Sequence, residues 1–316
     1  MAIILSYSEI LWRVAILNSW ESILSSPNVP FAKYTLGNNT RHFHLTAEPI
    51  KHKILKNLTI DAMGYNGSTP GPVIVLKKGE WISLTVENKL DKPTALHVHG
   101  LSKPNSQDGA PDIEPNTPKI MPGESYTYRF LAWQAGTFFY HSTMEQQAAQ
   151  GLIGAFVVLP EEDNMMNAEI PYRDYILLLQ QWEIPQPALG KVYPGEYKPN
   201  KFDRMPNFFT INGKAFPDTE PLYTRRGEKI RIRFINKSSN SHSMHIHGHD
   251  FVVVMVDGFP RKEFDDTIDV ASGRRIEIEF ISNNPGIWSI NGTKTFHQSN
   301  NGETPGGMIT RLIYVK

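Results

Sequence analysis

Gly79-Glu80-Trp81-Ile82-Ser83-Leu84-Thr85-Val86 and Gly227-Glu228-Lys229-Ile230-Arg231-Ile232-Arg233-Phe234 are two versions of one phrase: a Gly-Glu turn, then apolar residues alternating with polar ones. Alternation at period two is the pattern of a half-buried strand. Each version leads on to a His-x-His pair followed by Gly, His97-Val98-His99-Gly100 in the first half and His245-Ile246-His247-Gly248 in the second. Further along, Asn284-Pro285-Gly286-Ile287-Trp288 parallels Gln134-Ala135-Gly136-Thr137-Phe138. Segments that recur in the same order imply a duplicated unit. The chain therefore reads as two copies of one β-sandwich, with a site assembled where the histidine pairs fall.

The segments around these landmarks agree. From Pro27 to Pro30 onward, short β-branched and aromatic runs alternate with Gly, Pro, Asn and Asp, as in Val73-Ile74-Val75-Leu76 and Tyr126-Thr127-Tyr128-Arg129-Phe130. This is the rhythm of a sandwich or barrel. Leu152 to Leu159 reads as a buried strand closing the first half, and the polar stretch Pro160 to Asn167 as a linker. The expected division is 1–40 as an N-terminal helical extension, 41–162 as the first domain and 163–316 as the second. Ile3, Tyr7, Ile10, Leu11, Val14, Leu17, Trp20 and Leu24 recur at helical spacing, which predicts an amphipathic helix. Such a helix docks on the body or a neighbouring subunit, or lies on a membrane surface. Glu9, Arg13 and Glu21 interrupt the run and no basic region precedes it, which argues against a cleavable signal peptide or a membrane span.

Composition narrows the function classes. The 316 residues suffice for two ordinary domains, and 32 Lys+Arg balance 32 Asp+Glu, so net charge gives no signature of nucleic acid or an anionic membrane as partner. Cysteine is absent, which excludes disulfides, zinc–thiolate sites, iron–sulfur clusters and a thiolate-ligated blue copper, while leaving the compartment open. Histidine carries the signal. Eight of the eleven histidines fall in four short segments: His97 with His99, His141 after an aromatic run, His242 to His249, and His297. In a strand alternate side chains face the same way, so each His-x-His pair aims two imidazoles at one point. Imidazoles without carboxylates lean toward copper or zinc, and imidazoles packed together disfavour mutual protonation and favour a cation among them. His42, His44 and His52 precede the site motifs and read as surface or strand positions, with His42-Phe43-His44 able to take up a metal adventitiously.

Four motifs in order carry a family resemblance. Tyr65-Asn66-Gly67-Ser68-Thr69-Pro70-Gly71-Pro72, His97-Val98-His99-Gly100 with Asp108-Gly109-Ala110-Pro111, Gly136 to Ser142, and His242-Ser243-Met244-His245-Ile246-His247-Gly248-His249 resemble motifs of the multicopper oxidases. The likeness is to the laccase-like family, particularly its two-domain members, and spans about Phe43 to Lys316. It implies two cupredoxin-like Greek-key β-sandwiches and copper as cofactor. It places His97 and His245 at the type 2 copper, His99 and His141 at one type 3 copper and His247 at the other. It places His242 and His297 at the type 1 site, with Met308 near the axial position. His249 matches a non-ligand position. Asp108 matches an acidic residue that relays protons to bound oxygen species, and is otherwise an Asp-Gly turn residue. Met144 and Gln146-Gln147 either line the same cavity or fill the stretch before Gly151.

The departures from the family pattern are as informative. Thr143 stands where the family has a type 3 histidine, and Asn291-Gly292-Thr293 stands where it has His-Cys-His. Five of eight trinuclear imidazoles remain, and the thiolate that holds the blue copper and passes electrons onward is gone. Thr143 and Thr293 keep hydroxyls that can hydrogen-bond or support a metal-bound water. His242 and His297 then hold a weak metal or simply hydrogen-bond. The resemblance implies a copper-dependent oxidoreductase with a reduced copper complement, acting on oxygen and a small phenolic or metal-ion substrate. An inactive copper-binding scaffold is the main alternative, and a copper nitrite reductase, whose motif context differs, a remote one. Two-domain members form trimers with the cluster between neighbouring chains, and a monomer that brings its own domains together is the other arrangement.

Overall fold

A computed structural model of the chain describes residues 23–113, 117–160 and 173–316. They form two β-sandwiches of the cupredoxin type, four sheets in all. In the first half, one sheet runs Gly195–Tyr197, Leu58–Tyr65, Thr40–Leu55, Trp81–Asn88, Ser125–Leu131, and the facing sheet runs Gly71–Lys77, Ile153–Leu159, Gly136–His141, His97–His99. The second half repeats the plan. Trp81–Asn88 pairs in parallel with Thr40–Leu55 and antiparallel with Ser125–Leu131, and its counterpart Lys229–Asn236 pairs in parallel with Arg173–Trp182 and antiparallel with Arg275–Ile281. The two repeated phrases are thus the same strand of the two sandwiches.

Alternation sets the faces. Along Thr40–Leu55, Arg41, Phe43, Leu45 and Ala47 are buried while His42 and His44 are exposed. Phe43, Leu45, Ile82, Leu84, Val86, Tyr128 and Phe130 meet Phe138, Tyr140, Phe156 and Val158 from the facing sheet in the first core. Each such side chain contributes about 1.5–3 kcal/mol by leaving water. Ile153–Leu159 is buried at every position because its second face packs on the other half: Phe139, Ile153, Ala155 and Val157 share an apolar cluster with Ile176, Leu178 and Ile235. At the centre of this contact Arg233 pairs with Asp174 at 2.7 Å and with Glu277 at 3.1 Å, all three buried. Thr137 of the first half joins them, donating to Glu277 at 2.7 Å and accepting from Arg233 at 2.8 Å.

The amphipathic helix expected over the N-terminal residues lies outside the described residues except at its end. There Leu24 belongs to a strand, Leu24–Ser25, paired in parallel with Arg173–Trp182. The rest of the described N-terminal extension is likewise extended, Tyr34–Gly37 forming a hairpin with Thr40–Leu55, so the helical assignment is corrected for this part. Free sheet edges with unpaired backbone groups capture such segments whatever their side-chain spacing. Among the described residues the helical segments are two short 3-10 turns, Asn105–Gln107 and Thr295–Gln298. The expected linker, beyond Pro160, also lies outside the described residues.

Candidate metal centre

His97–His99 pairs antiparallel with Gly136–His141 so that His97 faces His141 and His99 faces Phe139. This register gathers three imidazoles at one end of the four-stranded sheet. Their candidate ligand nitrogens all lie within 4.8 Å of one another. Ring centroids are 5.5 Å apart for His97 and His141, 5.7 Å for His97 and His99, and 5.9 Å for His99 and His141. Phe139 stacks on His99 at 4.5 Å and 12°, fixing the ring plane.

The surrounding hydrogen bonds choose the donor atom. His97 Nδ1 lies 2.7 Å from the Asp108 carbonyl oxygen, which can only accept, so Nδ1 carries the proton and Nε2 is left for a ligand role. His141 Nδ1 is held in the same way by the Ser142 carbonyl at 2.8 Å, and its Nε2 is buried without a hydrogen-bond partner. An orphaned buried acceptor is costly unless something fills its lone pair. A metal among three imidazoles would do so, and the donor set fits copper. Burial lowers the pKa of all three histidines, His99 to about 4 with help from the Arg275 charge, and neutral imidazole is the ligating form.

Asp108 stands at a turn, as one of its two expected roles requires, and also holds two side chains. It ends the Asn105–Gln107 turn ahead of Gly109, whose positive φ and contact with the Leu96 carbonyl leave no room for a Cβ. Its carboxylate sits 3.2 Å from His97 Nδ1 and 2.7 Å from Nζ of Lys103, a lysine whose side chain is almost wholly buried. Thr143 spends its hydroxyl on the Gly109 carbonyl at 2.6 Å, bracing the same turn. Gln147 is structural: buried, it accepts from Ser142 and Thr94 and donates to the Pro93 carbonyl, clamping the chain just past His141, and Met144 is buried beside it.

The second half reproduces the geometry with a gap. His245 faces Asn291 across the ladder, as His97 faces His141. His245 Nδ1 donates to the Asp266 carbonyl at 2.7 Å, the same device that holds His97, and the rings of His245 and His247 lie 4.8 Å apart. Asn291 is occupied by Ser289, which donates to it at 2.7 Å, and by the Gly292 carbonyl at 3.1 Å. His247 is exposed and His245 partly so, and neither belongs to the His97, His99, His141 group within this chain. His249 has both nitrogens engaged, by the His247 carbonyl at 3.0 Å and the Tyr314 hydroxyl at 2.6 Å.

His242 and His297 form a third cluster, both fully buried, with Nδ1 atoms 3.4 Å apart and Met308 buried in the same core. Ser238 holds His242 Nε2 at 2.6 Å, while His297 Nε2 is buried without a partner. Burial, the neighbouring imidazole and Lys294 push His242 down to about 3, and burial and Lys294 push His297 down to about 4. A Cβ at Gly292 would stand 3.2 Å from the His297 Cβ and 3.6 Å from its Nδ1, so the position adjoins the pair. Without a thiolate the residues present do not fit a blue copper.

Sequence reading missed Lys103 and Arg275. Arg275 donates to the Thr137 carbonyl at 3.2 Å and lies against Gly100, where a Cβ would strike its guanidinium. The glycine after each His-x-His pair was visible, but its reason was not.

Residues 46–163 and 190–302 each match a family model described as multicopper oxidase. The chain is 33% identical over 260 residues to Laccase-3 of Thanatephorus cucumeris, covering 74% of this chain and 44% of that protein. It is 30% identical to copper resistance protein A of Escherichia coli, covering 61% of this chain and 38% of that one. The chain thus spans less than half the length of these curated relatives. Among solved structures, the blue copper oxidase from Nitrosomonas europaea superposes with a TM-score of 0.76 at 29% identity, covering 87% of this chain and 86% of that one. The multicopper oxidase mgLAC gives 0.75 at 30% identity with the same coverage.

Proposed function

The chain belongs to the multicopper oxidase family, and from that premise we propose that it is a copper-dependent oxidoreductase with a reduced copper complement, divided into units at 41–162 and 163–316. The observation that carries the reading is the buried, unpartnered Nε2 of His141 beside His97 and His99. Bound copper supplies a one-electron redox couple to which oxygen and a small phenolic or metal-ion donor can be coupled. The chain's own residues supply the rest. His97, His99 and His141 hold the ion through neutral nitrogens. Asp108, anchored by Lys103, orients His97 and keeps a carboxylate at the site edge for proton transfer.

His245 and His247 complete the site from a neighbouring copy in a homotrimer. Support comes from their exposure and from their standing outside the group within one chain. The electron donor must reach the cluster directly, because Gly292 offers no thiolate relay. The same loss, with Thr143 and Asn291 in place of imidazoles, favours a second reading: a copper-binding scaffold without turnover.

The test is copper per chain after loading with Cu(I) or Cu(II), with optical and spin-resonance spectra and light scattering on the same sample. About one copper per trimer-forming chain, a type 2 signal and no blue band are expected, and His97→Ala with His245→Ala should abolish tight binding. Unchanged copper in the double variant overturns the ligand set, and bound copper without oxygen consumption selects the scaffold.

A further inference from the structure

The second half of the chain walls the His99 side of the centre. Gly273, in the turn before Arg275–Ile281, faces the His99 ring, and a Cβ there would stand 3.8 Å from both Cε1 and Nε2. Arg275 fixes this turn to the first half. Its Nη1 donates to the Gly273 carbonyl at 3.4 Å, its Nε crosses to the Thr137 carbonyl at 3.2 Å, and the end of the guanidinium fills the space over Gly100, the residue after His99. A second loop is tied to the same turn. Gly273 N donates to the Asn236 carbonyl at 2.8 Å and Ser272 Oγ to the Ser238 carbonyl at 2.5 Å, so Lys237, between those two carbonyls, is carried to the same wall.

The charges along this wall do not cancel. On the His97 side Lys103 is matched by Asp108 at 2.7 Å. On the His99 side one carboxylate, Asp257, serves both Arg274 at 3.5 Å and Arg275 at 3.4 Å, which leaves a positive balance before half-buried Lys237 is counted. The imidazoles register it. Burial lowers the pKa of His99 and His141 first; the Arg275 and Lys237 charges then lower His99 further, Lys237 lowers His141, and Asp257 acts on His99 in the opposite sense. Charges that repel a proton here also repel a metal ion, and they repel Cu(II) more than Cu(I).

We propose that Arg275 and Lys237 set the oxidation-state preference of the copper centre, favouring Cu(I) over Cu(II) and so easing the uptake of one electron from a donor that reaches the ion directly. Both act through space, and neither is a ligand. The inference rests on the reading of His97, His99 and His141 as a copper site. At an effective dielectric of about 20, a unit charge about 10 Å from an ion changes the balance between two of its charge states by about tenfold.

The experiment measures Cu(I) and Cu(II) affinities separately, against competing chelators, and the midpoint potential of the bound ion. It uses the full chain and four variants, Lys237→Met, Lys237→Arg, Asp257→Asn and Arg275→Met, and the ion counted is the one lost in His97→Ala/His141→Ala. Lys237→Met should shift the ratio of affinities about tenfold toward Cu(II) and lower the midpoint by about 59 mV, the one-electron equivalent. Lys237→Arg keeps the charge and should keep the parent's ratio. Asp257→Asn removes the opposing charge and should move the ratio toward Cu(I). Arg275→Met should shift it toward Cu(II); because Arg275 also joins the halves, circular dichroism checks that this variant folds, and positions 237 and 257 decide the matter if it does not. Copper bound with unchanged ratios in both Lys237→Met and Asp257→Asn overturns the proposal. Absence of that ion from the unaltered chain overturns the reading of the centre itself, so the two failures are told apart.

Discussion

Replacing Gly292 by cysteine should create a blue copper site in one step. Gly292 ends the strand Ile287–Gly292 at a backbone geometry open to any residue, and its Cβ direction leads to the His297 ring. The Nδ1 atoms of His242 and His297, 3.4 Å apart, subtend about 110° at an ion about 2.05 Å from each, close to what a trigonal His₂Cys site with a weak axial methionine requires. The new Cβ is tight against the His297 Cβ at 3.2 Å, so the metal-free variant should lose stability within the overpacking range of about 1–3 kcal/mol. Copper binding at a thousandfold excess over its dissociation constant returns about 4 kcal/mol. The metal-free variant should therefore melt below the parent and the copper-loaded one at or above it. Absorption spectroscopy reads the outcome directly, since a copper thiolate is intensely blue and the parent has no cysteine to give that band. A folded Gly292→Cys protein that takes up copper at this position yet stays colourless would refute the placing of His242, Gly292, His297 and Met308 around one ion.

Three further outcomes can be measured. Asp108→Ala leaves the buried Lys103 ammonium without its carboxylate and should cost about 2–3 kcal/mol in chemical denaturation, below the range for a fully buried pair because Asp108 is partly exposed. Arg233→Met strands Asp174 and Glu277 in the contact between the halves; burial alone would raise the Glu277 carboxyl, and it is Arg233 with Arg231 that holds it below the ordinary range, so about 3–5 kcal/mol should be lost. His52, half-buried with Nε2 donating to the Gly213 carbonyl at 2.6 Å, is pushed by its loss of solvent down to about 4 from 6.5. The unfolded chain then binds more protons between those values, so its share of stability is complete above about pH 6.5 and lost as pH falls toward 4, about 3 kcal/mol in all. His52→Gln should flatten that part of the stability profile, and an unchanged slope would remove His52 as its source.

The fold was legible because its signals were local and duplicated. Alternation along Trp81–Asn88 and Lys229–Asn236 depends on which side chains face a core, and that is written in the order of residues. The histidine clusters were legible for the same reason, since a strand's period of two aligns His97 with His99 before any partner is known. Lys103 was not legible, because a lysine in a loop reads as solvated until the fold buries it on the Val98 carbonyl and Asp108. The pairing of His245 with Asn291 was out of reach too, since cross-strand register is a property of two distant segments. Leu24 misled for a related reason: apolar spacing that suits a helix also suits a short strand when an open sheet edge is near.

The matching ladders give the molecule an internal reference. His97 opposite His141 and His245 opposite Asn291 occupy equivalent places, and in each the Nδ1 proton goes to an aspartate carbonyl at 2.7 Å. One half therefore sets an imidazole where the other sets an amide, under the same temperature, solvent and chain history. Resonances of the two imidazoles, followed side by side as metal is added, separate what the rung opposite contributes from what the strand alone contributes, without a second protein ever being made.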